Sequence, residues 1–411
     1  MNNGGTESKR GEFRVAGFSQ HFWRFLFAEN LYDIGLYIFV LLYNLYLLDL
    51  GYREDFIGWV TSAMSVGGIA GCIPAAGIVQ KAGLKRTVIG ASAAVATMCV
   101  FRTAALGRPW LMATAFIAGA ISSIWAVSLV PMVAALTSEK NRAAGYSIWS
   151  GWGIGLGVIV GFVAGSMTGW IRTAGWAASD VSARQIALLI GSFTALLSPL
   201  LLIRLPAGRP ATLGAKIFPR NAFIKRFLVA YSVWNLGVGA FNPFFTAYFS
   251  RQLHMSVPRI GFVFSATQFA ELAALVAAPF IVRRFGAVTG ISLTQAGVAL
   301  SLALLAGAPP ALMAGIIYAA FGSFQFMSEP AIFTLLMSHV DSDQRAGASS
   351  LSFFVTSASQ AVSAALAGMC VVRFGYRPVL VFASVTTAVA AVLFHRLLEA
   401  RSPVTETAVA A

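Results

Sequence analysis

Residues 57–63 read IGWVTSA and residues 260–266 read IGFVFSA, so five of the seven positions are identical. The two copies lie 203 residues apart. The same spacing relates Gly83 to Gly286, Arg142 to Arg345 and Gly165 to Gly368. One constant spacing over more than a hundred residues indicates an internal duplication, because shared composition alone would not keep the register. The chain is therefore predicted to contain two similar halves that run in the same direction.

Composition indicates which class of protein carries this duplication. Apolar residues make up 58% of the 411 residues and charged residues only 11%, whereas an ordinary soluble domain has about 25% charged residues. A helix that crosses a membrane needs about 20 mostly apolar residues. Twelve such windows are present, at 25–49, 56–79, 87–106, 110–138, 143–171, 185–203, 227–250, 258–282, two on either side of Pro309-Pro310 within 285–328, 345–372 and 378–397. We predict an all-α membrane protein with twelve transmembrane helices in two six-helix bundles related by a parallel repeat.

Lys and Arg set the predicted orientation and the domain boundaries. If both ends face the cytoplasm, 20 of the 29 basic residues fall on the cytoplasmic side, as the positive-inside rule requires. This distribution also accounts for the net charge of +14 without a nucleic-acid partner. The predicted parts are a cytoplasmic tail at 1–24, a first bundle at 25–205, a cytoplasmic linker at 206–224, a second bundle at 225–398 and a cytoplasmic tail at 399–411. We thus expect a multi-pass protein of the cell inner membrane, surrounded by the lipid bilayer.

Several chemistries lack the residues that they need. Cys72, Cys99 and Cys370 are far apart and form no CxxC or Cys/His cluster, so no metal site is predicted. No GxxxxGK[ST] loop is present, which argues against ATP-driven pumping by this chain. The short loops hold no cluster of His, Asp or Ser, so we expect neither an enzyme nor a cofactor.

Polar residues within the predicted helices mark candidate sites, because a charge at bilayer depth is costly. The candidate proton-coupling or substrate-binding residues are Asp33, Glu271, Glu329, Asn242, Gln268 and Gln325. The candidate cavity-lining residues are Glu29, Tyr37, Asn44, Trp125, Trp152, Asn235 and Tyr318. Asp33 is interpreted as a proton or substrate site or as part of a structural pair. Glu29, nearer the cytoplasmic end, is interpreted as solvated or paired with Arg24.

The two halves differ in these polar positions. The spacing of 203 residues places Glu271 on Gly68 and Glu329 on Ala126. Carboxyls in one half therefore have no counterpart in the other, which argues against a purely structural role. Protonation of such a carboxyl removes its charge, and the neutral form lets a cavity close.

A loop rich in glycine and basic residues follows the second predicted helix and returns after the eighth. Residues 76–86 read AGIVQKAGLKR, and residues 279–286 read PFIVRRFG. Glycine permits a sharp turn, and the basic residues also fit the positive-inside signal alone. The first copy resembles the G-x-x-x-D-R-x-G-R-R/K loop of the major facilitator superfamily, with Gln80 at the acidic position and Arg283 there in the second copy. The resemblance implies a cytoplasmic gate formed by Gly83, Lys85, Arg86, Arg142, Arg283, Arg284, Gly286 and Arg345.

The fifth predicted helix carries glycines at a spacing of four, which are Gly153, Gly157, Gly161 and Gly165. Drug/proton antiporters of the superfamily have a Gly-Pro signature in this helix, but here Val158 follows Gly157. The stripe is typical of close helix packing.

The resemblance implies a secondary active transporter that moves an organic small molecule by alternating access, acting as a monomer. Sparse charge and 12% aromatic residues favour proton-coupled export of an amphipathic or weakly cationic compound. Two alternatives stay open. One is proton-coupled or facilitative uptake of a sugar-like or peptide-like solute, which Asn and Gln would suit. The other is a membrane sensor that transports nothing.

Overall fold

The computed structural model describes residues 14–15, 17–104, 107–138, 141–205, 222–340 and 344–398. Long α-helices make up most of these residues. The twelve long helices are α1 Gln20–Asp49, α2 Glu54–Ala82, α3 Leu84–Thr103, α4 Arg108–Leu136, α5 Arg142–Thr173, α6 Asp180–Leu202, α7 Ala222–Phe241, α8 Val257–Phe285, α9 Ala287–Ala306, α10 Ala311–Ser338, α11 Arg345–Phe374 and α12 Tyr376–Leu398.

A short hairpin precedes the first long helix. Strand β1, Arg14–Val15, pairs antiparallel with β2, Phe18–Ser19. The Ser19 hydroxyl accepts a hydrogen bond of 3.3 Å from the Phe22 amide and so caps α1. Helix α1 therefore begins at Gln20, inside the predicted tail at 1–24. The predicted linker at 206–224 and tail at 399–411 lie outside the described residues, apart from 222–224, which begin α7.

The seventh crossing is interrupted. Among the described helices, eleven are long and apolar enough to cross a membrane, and α7 is the exception because it carries Lys225 and Arg226 near its start and ends at Phe241. The chain continues as a 3₁₀ turn, Asn242–Phe244, an α-helical turn, Phe245–Ala247, and a π-helical segment, Tyr248–Gln252. Pro243 has no backbone N–H and so removes one helical hydrogen bond at this point, although α2, α4, α6, α8 and α10 each continue through a proline. With this segment as the seventh crossing, the twelve predicted spans are present.

The helices pack in two sets with the same pattern. In the N bundle, α1–α6, helix α1 packs on α5 and α6, α2 on α4, and α3 on α4 and α6. In the C bundle, α7–α12, helix α7 packs on α11 and α12, α8 on α10, and α9 on α10 and α12. Adding six to each label of the first set gives the second, so the parallel repeat predicted from the spacing of 203 residues is confirmed.

The duplicated loops turn at glycines, as predicted. Gly83 between α2 and α3 has φ 82° and ψ 151°, and Gly286 between α8 and α9 has φ 80° and ψ 162°. Only glycine adopts this conformation readily, since a Cβ would be strained there.

We expect Gly286→Ala to destabilise the folded protein by about 1–3 kcal/mol, the usual cost of such backbone strain. The measurement is thermal unfolding of purified protein in detergent. Gly90→Ala is the control, because Gly90 lies within α3 with open space around it and Ala is favoured over Gly in a helix by about 1 kcal/mol. Equal unfolding temperatures for the two variants would contradict the prediction.

The bundles touch each other only through part of their length, among the residues described. Successive helices alternate in direction, so both ends of the described chain lie on one side, here called proximal, and the loop after α1 lies on the other, called distal. The bundles meet where α2 crosses α11 and where α5 crosses α8. In the distal half, Ser62 of α2 donates a 2.5 Å hydrogen bond to the Ala361 carbonyl of α11. Nearby, the Tyr376 hydroxyl donates to Glu54 Oε1 at 3.0 Å.

The α5–α8 crossing shows the same distal closure. A Cβ placed on Gly165 would lie 2.8 Å from the Gly261 Cα, so the two backbones are in direct contact. Towards the proximal side the packing of the two helices is looser, because a Cβ on Gly151 would make only an ordinary contact with the Leu272 side chain at 4.0 Å. On the same stretch of α5, Ser147 and Ser150 are exposed. The two bundles are therefore packed more tightly on the distal side than on the proximal side.

Candidate functional site

Tyr37 links three helices at the interface between the bundles. Its hydroxyl donates to the Gly153 carbonyl of α5 at 3.2 Å and accepts from Gln268 Nε2 of α8 at 3.4 Å. A Cβ on Gly157 would lie 2.5 Å from Gln268 Nε2, so only glycine leaves room for this approach. The structure thus brings together two residues that the sequence singled out separately, and it assigns Gly157 a packing role.

Asp33 lies one helical turn before Tyr37 on α1 and faces the same crossing. It is half-buried. Its Oδ2 lies against Gly153, 3.4 Å from the position that a Cβ there would take. The carboxyl is therefore placed between α1 and α5, beside the hydroxyl–amide bridge that leads to α8.

Glu29 lies one turn further towards the proximal side and differs from its predicted environment. Only 1% of its surface is exposed, and Oε1 has no hydrogen-bond partner among the described residues. It is not solvated, and it forms no ion pair with Arg24, although both residues are described. The interpretation of Glu29 as an interfacial residue is therefore wrong, because neighbouring helices cover this turn of α1.

Glu271 of α8 lies inside the C bundle with 8% of its surface exposed. Its Oε1 lies against Gly322 of α10, 2.6 Å from where a Cβ would be. Glu329, two turns further along α10 and half-buried, is close enough to interact electrostatically with Glu271 and with Tyr231. The C bundle thus holds a second pair of neighbouring carboxyls, in addition to Glu29 and Asp33 of the N bundle.

Three amide residues lie near the break after α7. Asn44 of α1 donates a 2.7 Å hydrogen bond to the Pro243 carbonyl, which the break exposes. Asn242 Nδ2 and Gln325 Oε1 are 3.5 Å apart, joining the break to α10. These contacts connect the N bundle, the broken seventh crossing and the helix that carries Glu329.

Four candidate cavity-lining residues have varied surroundings. Trp125 packs its ring on Tyr32 at a centroid distance of 4.4 Å. Trp152 is 54% exposed on α5 and lines a cavity of about 570 Å³. Asn235 is buried and donates to the Tyr231 carbonyl of its own helix. Tyr318 is buried and stacks on Phe245 at 5.3 Å. Asn235 and Tyr318 therefore pack inside the C bundle rather than line a cavity.

The four carboxyls have no cationic partner among the described residues. Two arginines within membrane helices of the N bundle are engaged elsewhere, towards the distal side. Arg184 pairs with Asp49. Arg102 is buried over the Tyr43 ring, 4.1 Å from its centroid. These two arginines therefore do not balance the four carboxyls.

The predicted gate residues lie on the proximal side, where the bundles are packed less tightly. Lys85 Nζ donates to the Leu205 carbonyl at the end of α6, within the N bundle. Arg283 packs over the Phe280 ring at 4.7 Å, and Arg284 over the Phe285 ring at 5.7 Å. The side chain of Arg345 lies outside the described residues. Among those described, no gate residue forms an ion pair across the two bundles.

Comparison with known families identifies the fold. The sequence profile of the Major Facilitator Superfamily matches residues 25–234 and again residues 227–411. The chain belongs to the major facilitator superfamily. The resemblance seen in the duplicated loops is thereby confirmed, and membership makes the protein a multi-pass membrane transporter rather than an enzyme.

Solved structures of superfamily transporters show the same fold. The crystal structure of the nucleoside transporter NupG aligns with a TM-score of 0.72 at 13% identity, over 92% of this chain and 99% of that one. A D-xylose-proton symporter gives 0.69 at 15% identity, over 91% and 95%. A bacterial homologue of the iron transporter ferroportin, in an inward-facing state, gives 0.70 at 13% identity, over 92% and 98%. No curated protein matches the sequence.

Sequence reasoning missed the small residues that support the carboxyls. Gly153 beside Asp33 and Gly322 beside Glu271 leave space for a carboxylate where any other residue would place a Cβ. The glycines are visible in the sequence, but their partners lie on other helices. Gly153 lies in the N bundle and Gly322 in the C bundle.

Proposed function

We propose that the protein is a proton-coupled transporter that exports an amphipathic, weakly cationic small molecule by alternating access. One observation carries the proposal: Asp33 beside the contact of α1, α5 and α8, and Glu271 and Glu329 inside the C bundle, lie in membrane helices with no described Lys, Arg or His paired with them. Acidic residues at such depth mark ion or substrate pathways.

Electrostatics connects these carboxyls to coupling. An ionised carboxylate enclosed without a partner costs on the order of several kcal/mol. Each carboxyl must therefore be protonated or meet a cation before the bundles close around it. A proton and a cationic substrate compete for the same oxygens, so binding one releases the other and gives exchange.

The surroundings favour an amphipathic cation over an anion. No basic side chain reaches the carboxyls among the described residues, so a phosphorylated or multiply anionic solute would be repelled. Aromatic rings such as Tyr37 and Phe264, whose centroids are 6.0 Å apart, offer faces to apolar groups and to cations at the crossing of α1 and α8.

Export follows if the proximal side is the cytoplasm, which the 20 of 29 basic residues placed there favour. The more loosely packed side of the structure would then load substrate from the cytoplasm. The amide contact between Asn242 and Gln325 supports a second candidate, coupled or facilitative uptake of a sugar-like or peptide-like solute, because amides bind hydroxyl and amide groups.

The test uses purified protein in liposomes that contain a pH-sensitive dye. Tetraphenylphosphonium and other amphipathic cations, neutral sugars and dipeptides are added in turn with an imposed pH gradient. Proton efflux on addition of a cation, with uptake of that cation, is expected. Cation transport without proton movement would end the coupling proposal, and proton-linked movement of sugars alone would favour the second candidate.

A further inference from the structure

A groove runs along α5 on the side of the helix that faces away from the other bundle. Its volume of about 570 Å³ lies within the range of roughly 300–1,000 Å³ that ligand-binding pockets occupy. The described residues that line it all belong to α1 and α5, so the groove lies within the N bundle. None of them is charged, and only Ser147 carries a hydroxyl. The groove therefore suits an apolar ligand.

The groove faces the membrane. Gly157 and Gly161 contact α8, and they lie two residues after Gly155 and Ile159, which line the groove. Two residues turn an α-helix by about 200°, so Gly155 and Ile159 lie on the opposite side of α5. In the groove, Trp152 is 54% and Ile159 is 63% exposed, and α5 is long and apolar enough to cross a membrane. Lipid acyl chains therefore border the groove.

A glycine and two tryptophans give the groove its shape. A Cβ on Gly155 would meet nothing within 4 Å, so the helix surface is open at this point. Trp152 of α5 and Trp23 of α1 also line the groove. The Trp23 ring packs edge-to-face on the buried Phe22 ring at 5.8 Å, which holds it in place. The groove thus has aromatic walls and an open centre, which accommodate a flexible apolar chain.

Two arginines lie near the proximal end of the groove. Arg24 directly follows Trp23, and Arg142 begins α5, five residues before Ser147. Neither arginine forms an ion pair within the part of the chain that the structure describes, and the buried Arg142 Nε has no hydrogen-bond partner there. Basic residues close to a membrane surface attract anionic lipid headgroups. The groove is therefore apolar along α5 and flanked by positive charge at its proximal end.

The length of the groove corresponds to one leaflet of the bilayer. From Ser147 to Ile159, α5 rises roughly 18 Å. The hydrocarbon core of a bilayer is about 30 Å thick, so one leaflet contributes about 15 Å. A lipid whose headgroup lies at the arginines can therefore lay an acyl chain along the whole groove.

We propose that this groove binds one anionic phospholipid of the proximal leaflet, with an acyl chain along Gly155 and Ile159 and the headgroup at Arg24 and Arg142. Because the groove belongs to one bundle, the lipid moves with that bundle during transport. A weakly cationic substrate would be repelled by the two arginines, so the groove is a lipid site and not an entry route for the substrate. The inference does not depend on the proposed proton coupling.

Native mass spectrometry of purified, delipidated protein measures this binding without substrate or a pH gradient. We expect wild type to retain one phosphatidylglycerol in preference to phosphatidylcholine with the same acyl chains. Arg24→Gln and Arg142→Gln should each lower this preference roughly fivefold. Gly155→Leu should remove the bound phosphatidylglycerol because the new side chain fills the groove. Gly169→Leu is the matched control, at an equally open position of α5 outside the groove.

Three outcomes of this experiment would overturn the lipid site. The first is equal retention of phosphatidylglycerol in the two Leu variants. The second is the absence of any preference for phosphatidylglycerol in wild type. The third is binding of tetraphenylphosphonium in place of phosphatidylglycerol, lost in Gly155→Leu, which would assign the groove to the substrate.

Tryptophan fluorescence gives a second measurement that leaves the glycines and arginines unchanged. Phosphatidylglycerol brominated on its acyl chains, added at one lipid per protein, should quench the wild-type fluorescence. The quenching should fall in Trp23→Phe/Trp152→Phe and persist in Trp170→Phe/Trp176→Phe, which removes two exposed tryptophans near the distal end of α5. Equal quenching in the two double variants would overturn the placement of the acyl chain in the groove.

Discussion

Replacing Glu271 by Gln is expected to abolish substrate-dependent proton movement and to reduce coupled transport to the level of empty liposomes. Gln has nearly the same shape, so it still fits beside Gly322, but it can neither bind nor release a proton. Glu271 is 8% exposed and has no described cationic partner, so no described basic side chain balances its change of charge. The measurement is dye-reported proton flux together with substrate uptake in proteoliposomes.

Two further variants show whether the loss is specific. Asp180→Asn removes a carboxyl from the exposed start of α6 and should leave the flux unchanged. Gly322→Ala keeps every carboxyl but places a Cβ 2.6 Å from Glu271 Oε1, so the side chain must move and the flux should fall. Full proton coupling in Glu271→Gln would remove this residue from the coupling mechanism.

Replacing Gly165 by Leu is expected to hold the transporter open on the distal side and to stop the transport cycle. The Gly165 Cβ would lie 2.8 Å from the Gly261 Cα, and backbone cannot move aside as a flexible side chain can. Overpacking of this kind costs about 1–3 kcal/mol, and each 1.4 kcal/mol shifts an equilibrium by about tenfold. The closed state should therefore lose roughly tenfold or more of its population.

Opening of the distal side is measured at the crossing of α2 and α11, by the accessibility of a cysteine placed there. Ser62→Cys, with the three native cysteines replaced by Ala, places a thiol at the contact between α2 and α11. A membrane-impermeant maleimide should label this thiol much faster when Gly165→Leu is added. Gly169→Leu is the matched control, because it lies one turn further along α5 with open space around it. Equal labelling in the two Leu variants would contradict the gating role of Gly165.

The architecture could be predicted from the sequence because its determinants are local. Apolar length defined the twelve spans, and the spacing of 203 residues defined the two bundles. The turns at Gly83 and Gly286 followed from the same repeat. The break after α7 was not predictable from Pro243 alone, because five other helices continue through a proline.

The site could be predicted only in part, because the environment of a side chain depends on helices distant in sequence. Asp33 and Glu271 were chosen as candidates from their depth in the helices, and the structure places each beside a glycine of another helix. Glu29 was assigned to the interface from its position along α1, and the packing of Tyr32 on Trp125 that accompanies its burial involves α4. Tyr318 was placed on a cavity face by helical spacing, but Phe245 from the broken seventh crossing covers it.

The contact of Gly165 with Gly261 has a consequence for how such a protein can change over evolutionary time. Where two backbones touch, the fit depends on the main chain, which every sequence shares, and not on matched side-chain shapes. Mutations elsewhere on α5 and α8 can then accumulate without changing the contact between the two backbones. The two glycine positions tolerate almost no substitution, because a Cβ does not fit there. A contact built this way keeps its geometry while the surrounding sequence drifts.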